Sequence, residues 1–302
     1  MQDRVPPPLA PAPRRGALAA AALRPACSVA LAIAAAHALH LGDAWWAAIS
    51  AFVVMDTAWR ASLARGALRI GGTVAGGLIG FGAALFTGGH PLAYALLLAG
   101  AAWIGLFMAL TRHASYAWVL AVVTFAMVMG EAPAPADVLW AFALERIANV
   151  VVGTLACLAV EGAWALWAGR GRIASPPPGP TPTNADRRVA AEHALQGAIV
   201  IALVAAAMRW EPLGAFPQAM VSALAVLVVP LGADAAQTRP QVHIRMRLRV
   251  AGCAAAAALG AVVLPLLQVH VLAGLAVLLA GVWAGAWLQT ARPAWRYGAL
   301  QF

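Results

Sequence analysis

The sequence predicts an all-α, polytopic transmembrane helical bundle, and three observations carry that reading. Of its 302 residues, 63% are hydrophobic and only 10% charged, with a mean hydropathy of +0.81. Soluble domains carry about 25% charged residues, so this composition cannot cover a water-facing surface. The apolar residues gather into ten runs, most of them long enough for a bilayer core of roughly 30 Å, which takes about 20 residues of helix. The charges lie mainly between the runs, and they are distributed unevenly.

Bounded at polar and Pro/Gly clusters, the runs cover residues 17–40, 44–57, 67–86, 91–110, 114–130, 138–168, 188–208, 216–231, 247–267 and 271–290. The first follows residues 1–16, a tail with five prolines that reads as disordered. A cleaved signal peptide is the rival reading of this start, but Arg24 interrupts the apolar stretch and no polar mature segment follows it. The second and eighth runs are short, so they are tilted or extended by neighbouring loop residues. The sixth is the longest, with Trp140 and Trp164 placed as aromatic belts at its two ends. Residues 169–187, containing Ser175 and the prolines up to Pro180, form a linker before the seventh run. The expected organisation is therefore about ten helices: a six-helix unit over 17–168, then an incomplete second copy over 188–302 made of four helices and a stub.

All twenty basic residues are arginine, against eleven acidic residues, for a net charge of +9. The absence of lysine excludes Schiff-base chemistry, a lysine general base and the lysine of a phosphate-binding loop. Nucleic-acid binding needs a solvated basic patch, whereas these arginines form short clusters in alternate connections. Arg4, Arg14 and Arg15, then Arg60 and Arg65, Arg112, Arg170 to Arg188, Arg239 to Arg247, and Arg292 with Arg296 all fall on one side; only Arg209 breaks the pattern. By the positive-inside rule that side is the cytoplasm, together with both termini and the linker. Cys27, Cys157 and Cys253 lack metal or redox spacing and read as small buried hydrophobes.

The two halves are related. A shift of 172 residues pairs Leu23 with Leu195 and Ser50-Ala51 with Ser222-Ala223; a shift of 180 pairs Leu68-Arg69 with Leu248-Arg249, Gly72 with Gly252, Gly80 with Gly260, His90 with His270, Trp103 with Trp283 and Arg112 with Arg292. Under the second shift, residues 296–300 correspond to the start of the fifth run. The chain then reads as a fragment, or as a protein ending two helices short of a full repeat. A fainter echo lies inside the first half. Arg69-Ile70 with Gly76 recurs 77 residues later as Arg146-Ile147 with Gly153, which suggests copies of opposite orientation, as in inverted-repeat transporters.

Chemistry concentrates in the sixth run, where Glu145, Asn149, Gly153, Cys157 and Glu161 recur every four residues beside Arg146. Arg146 lies about 9 Å inside the outer tryptophan belt, where an unpaired ion costs about 3 kcal/mol or more. Two readings stay open. Arg146 pairs with a carboxylate on a neighbouring helix or snorkels outward; alternatively it lines a water-filled path for an anion, with Asn149, and with Glu145 or Glu161 as proton-titrating partner. Asp56 with Arg60 reads as a helix-end ion pair or a gate. Arg69 and Arg249 open their helices at the cytoplasmic face and most simply obey the positive-inside rule; their repetition leaves an anion-attracting vestibule, with Asp56, as the alternative. Gly72, Gly76 and Gly80, with Gly252 and Gly260, are spaced for close helix packing, and Gly153 joins them. His37, His40, His90 and His270 lack metal-ligand spacing. No enzyme motif or nucleotide fingerprint appears, so no catalytic residue, metal or cofactor is expected.

The stretch Trp45-Trp46-Ala47-Ala48-Ile49-Ser50-Ala51-Phe52-Val53-Val54, then Arg69-Ile70-Gly71-Gly72-Thr73-Val74-Ala75-Gly76, then Arg146-Ile147-Ala148-Asn149 with Gly153, resembles the fusaric acid resistance (FUSC) family, also called aromatic acid exporters. The likeness covers residues 20–168 well and 188–302 more loosely. It implies a bacterial inner-membrane transporter built of six-helix units that exports aromatic carboxylic acids or related anions on the proton-motive force. The partners it implies are the lipid bilayer, a small organic anion, and a second copy or a periplasmic adaptor. The chain departs from the family pattern at Asp56 and Cys253 and in lacking a long cytoplasmic domain. A passive anion channel built on the same unit, and a non-transporting or degenerate membrane partner, are the alternatives.

Overall fold

The computed structural model describes residues 15–56, 59–87, 90–112, 114–132, 134–167, 184–210, 216–228, 235–267 and 271–291. Expectations for most of the N-terminal tail, for residues 169–183 and for residues 292–302 lie outside these. Among the described residues the chain is all-helical: α1 (Arg15–Ala38), α2 (Trp45–Val54), α3 (Trp59–Thr87), α4 (Pro91–Thr111), α5 (Ser115–Gly130), α6 (Ala136–Trp167), α7 (Asn184–Trp210), α8 (Phe216–Leu227), α9 (Ala235–Leu267) and α10 (Val271–Ala291). Each falls on one of the ten apolar runs. Six are long and apolar enough to cross a membrane: the Ala21–Ala38 part of α1, α3, α4, α6, most of α7, and α10.

The boundaries differ from expectation in a consistent way. The helix α3 starts at Trp59 and α9 at Ala235, so each begins well ahead of its apolar run and takes in arginines assigned to loops. Arginine is a good helix former; hydropathy marks where a helix leaves the bilayer, not where it unwinds. Arg15 and Gly16, and residues 184–187, are likewise helical rather than tail and linker.

The centre of the bundle is α5. Every residue from Val122 to Met129 is buried, as befits a helix apolar on all sides. It packs against α3, α4 and α8, and with Leu98, Ala102 and Leu106 of α4 and Leu139 and Ala143 of α6 it forms the main core. A second core joins α1, α2 and α6 through Val29, Ala32, Ala36, Ala47, Ala51, Val54, Ala156 and Cys157. Its small side chains let the helices approach closely, which is how membrane helices gain packing energy when lipid is as apolar as leucine. The outward faces carry Leu78, Ile79, Phe86, Leu92, Leu96 and Leu166 fully to the surface, a surface suited to acyl chains. Cys27 and Cys253 are on that surface and only Cys157 is buried, so the expectation of three buried cysteines holds for one.

Contacts between the halves are reciprocal. The helix α4 packs on α7, and α10 packs on α1; under the sequence offsets α10 corresponds to α4 and α1 to α7. Within the first half α3 crosses α5 while α6 crosses α2.

Candidate functional site

Where α6 crosses α2, a Cβ on Gly153 would overlap the Ala47 carbonyl oxygen and press on Ser50, so only glycine permits this approach. Where α3 crosses α5, Cβ atoms on Gly72 and Gly76 would strike the Ala117 and Ala121 carbonyls, and one on Gly80 would come within 3.2 Å of the Phe125 backbone. Gly260 differs, with nothing within 4 Å of its Cβ position, and Gly252 is half-buried. The close crossings seat α6 on α2 and α3 on α5, and both α3 and α6 reach Ser50 of the short α2.

Onto α2 converge the two arginines of the internal echo. Arg146, 4% exposed, lays its guanidinium over Trp46, with Cζ 3.3 Å from the ring centroid. Trp46 is itself stacked on Trp45 at 3.8 Å, and Trp45 donates through Nε1 to Asp43 at 3.2 Å. One turn along α2, Ser50 donates to the Trp46 carbonyl at 2.7 Å and accepts from Arg69 Nη2 at 3.1 Å. Arg69, 3% exposed, also donates from Nη1 to the Tyr116 hydroxyl of α5 at 2.8 Å. Trp46 and Ser50 share one face of α2 about 6 Å apart, so the two guanidiniums are neighbours.

Neither arginine forms a salt bridge among the described residues, and Arg146 Nε and Nη1 and Arg69 Nε are buried without a hydrogen-bond partner. Arg146 therefore follows neither the ion-pair reading nor the snorkelling one. Arg69 stands in the third turn of α3, inside the protein, rather than opening a helix at the cytoplasmic face. Stripping water from a guanidinium costs several kcal/mol, whereas a desolvated cation–π contact returns about 2. The arrangement leaves positive charge and unpartnered N–H donors inside the protein.

The other expected residues surround this centre rather than join it. Asn149 donates to the Gly42 carbonyl at 3.0 Å and to the Glu145 carbonyl at 3.1 Å. It thereby pins the loop before α2, where His40 and Asp43 adopt φ of 53° and 46°, a region L-residues seldom occupy. The carboxylate of Glu145 lies against Gly42 in the same loop. Glu161 is four turns away, 3% exposed and bonded to Arg24 of α1 at 3.1 Å. Asp56 pairs with Arg65 at 2.7 Å rather than with Arg60; it lies past the end of α2 at Val54 and ahead of α3, so the one-turn spacing of a continuous helix does not link it to Arg60.

Two contacts of this region recur in the second half. Arg65 donates to the carbonyl of Met55, the first residue past α2, and Arg245 donates to that of Val228, the first past α8. Arg69 bonds Ser50, and Arg249 bonds Ser222 at 2.9 Å. Both arginine pairs are 180 residues apart and the serines 172. Ser50, Tyr116 and the partnership of Arg69 with Arg146 were not picked out from the sequence. The available signal was the short length of the second and eighth runs, since short segments at matching places in two repeats mark transporter binding sites.

These features place the chain in the class of multi-pass helical membrane proteins with polar groups buried at a short central helix. Within that class, residues 31–160 match the family described as fusaric acid resistance protein-like. The likeness read from the Trp45, Arg69 and Arg146 stretches is borne out over those residues. The protein called uncharacterized transporter YdhK, from Salmonella typhimurium strain LT2, is 32% identical over 142 residues, 44% of this chain. The chain spans about a fifth of the length of that relative, 20%. No solved structure matches the chain.

Proposed function

We propose that this chain supplies the membrane-embedded part of a transporter that moves small organic anions, aromatic carboxylic acids foremost, out of the cell on the proton-motive force. The observation that carries this reading is the Arg69–Arg146 pair: two buried guanidiniums on one face of α2, unpaired with any described carboxylate. A carboxylate that enters gains charge-assisted hydrogen bonds, and the Trp46 ring offers its aromatic ring a stacking partner. The site uses Arg146, Arg69, Ser50 and Tyr116, with Asn149 and Glu145 holding the loop over it. The repeated arginine–serine contacts and the reciprocal packing support a duplicated unit, and the arginine bias supports an inner-membrane orientation with both termini in the cytoplasm.

The test is efflux of a labelled aromatic acid from cells or inverted vesicles carrying the protein. Arg146→Ala abolishes energised transport while the protein remains folded and membrane-inserted; unchanged transport overturns the site. Flux that persists after a protonophore, driven by the anion gradient alone, identifies a passive channel instead.

A further inference from the structure

The two buried arginines pose a problem in the protein at rest as well as during transport. Both side chains are more than nine-tenths buried, three of their N–H-bearing nitrogens have no partner, and they approach the same face of α2, through Trp46 and Ser50. Neither forms an ion pair with a carboxylate among the described residues. Stacking on Trp46 fixes the plane of the Arg146 guanidinium while leaving its edges free to donate. Isolated charge in a low-dielectric interior is disfavoured unless compensated, and the free donors can be satisfied only by an acceptor.

We propose that Arg146, with Arg69 as the second cation, holds one small monovalent inorganic anion in the resting protein, chloride being the probe of choice, and that a transported carboxylate displaces it. Chloride accepts several N–H bonds without directional demand, which suits donors on separate edges of two guanidiniums, and it neutralises half of the pair's charge. The organic anion then exchanges with a resident ion instead of entering a dry site. This inference uses the site of the proposed transport function, but binding and transport can be measured separately.

The full chain, purified in neutral detergent, is titrated with chloride at constant ionic strength held by methanesulfonate, which carries no carboxylate. The expected result is a saturable excess linewidth of the chloride-35 resonance and a saturable rise in Tm over the same concentrations. Benzoate narrows the line competitively, and folded Arg146→Gln loses the broadening. If Tm of the unaltered protein follows ionic strength alone and no saturable broadening appears, the proposal is overturned, whatever the variants do. Broadening equal in Arg146→Gln and the parent also overturns it, because surface arginines then hold the ion. Broadening that benzoate leaves untouched overturns the displacement. Chloride binding with no efflux overturns the transport reading alone; efflux with no chloride binding overturns this proposal alone.

Discussion

Arg146 and Glu161 stand on one buried face of α6, yet the protein treats their charges in opposite ways. Glu161 meets Arg24 from α1 at 3.1 Å, with the Arg24 guanidinium also 5.9 Å from the Trp164 ring centre; Arg146 meets an aromatic face and another cation. The first is a tie between helices, the second the centre of the proposed site. Arg24 is 21% exposed, so deleting Glu161 leaves a charge that surroundings partly compensate, at about 1 to 3 kcal/mol. Glu161→Ala is therefore expected to lower unfolding free energy in detergent by about that amount, and adding Arg24→Ala restores part of it. An additive loss in the double variant counts against the tie. The four-residue stripe through Asn149, Gly153, Cys157 and Glu161 was legible in the sequence. That all four of these residues face protein rather than lipid was not, since helical period groups residues on a face without saying what the face meets.

Among the elements, α2 matters most and is the shortest, 10 residues or about 15 Å. A helix that stops inside the bilayer leaves carbonyls to be satisfied, and Arg65 reaches the Met55 carbonyl at 3.4 Å while pairing with Asp56. The glycines of α3 and α6 seat their neighbours closely enough for arginines to reach α2 and α5. Gly153→Val is expected to force α6 off α2, costing about 1 to 3 kcal/mol and abolishing efflux. Gly260→Val, where the surroundings are open, is expected to leave both unchanged. Equal effects of the two would show that the glycine stripe is not what seats α6. Both glycines were assigned to packing from spacing; spacing cannot tell a glycine facing a carbonyl from one facing lipid.

At the scale of the molecule, duplication and orientation make a joint prediction. In a background with Cys27 and Cys253 replaced by alanine, a cysteine at Ser115 should react with an impermeant maleimide only from the cytoplasmic side. A cysteine at Glu131, at the other end of α5, should react only from outside. The reverse pattern inverts the proposed topology and turns the proposed transport direction with it. The contacts of α4 with α7 and of α10 with α1 support the proposed duplication.

The helical membrane class, the ten helical runs, the arginine bias and the residues that echo one another at 77, 172 and 180 positions are legible in the residues alone. These follow from composition, period and offset, all local or one-dimensional properties. Helix packing added that Arg69 lies inside the protein against Ser50 and Tyr116, beside the Arg146–Trp46 contact, and that Glu161 bonds Arg24. The physical reason is that a helix fixes the direction of its own side chains, whereas the partner each one meets depends on which helices cross, and glycine-to-carbonyl contacts far apart in the chain set those crossings.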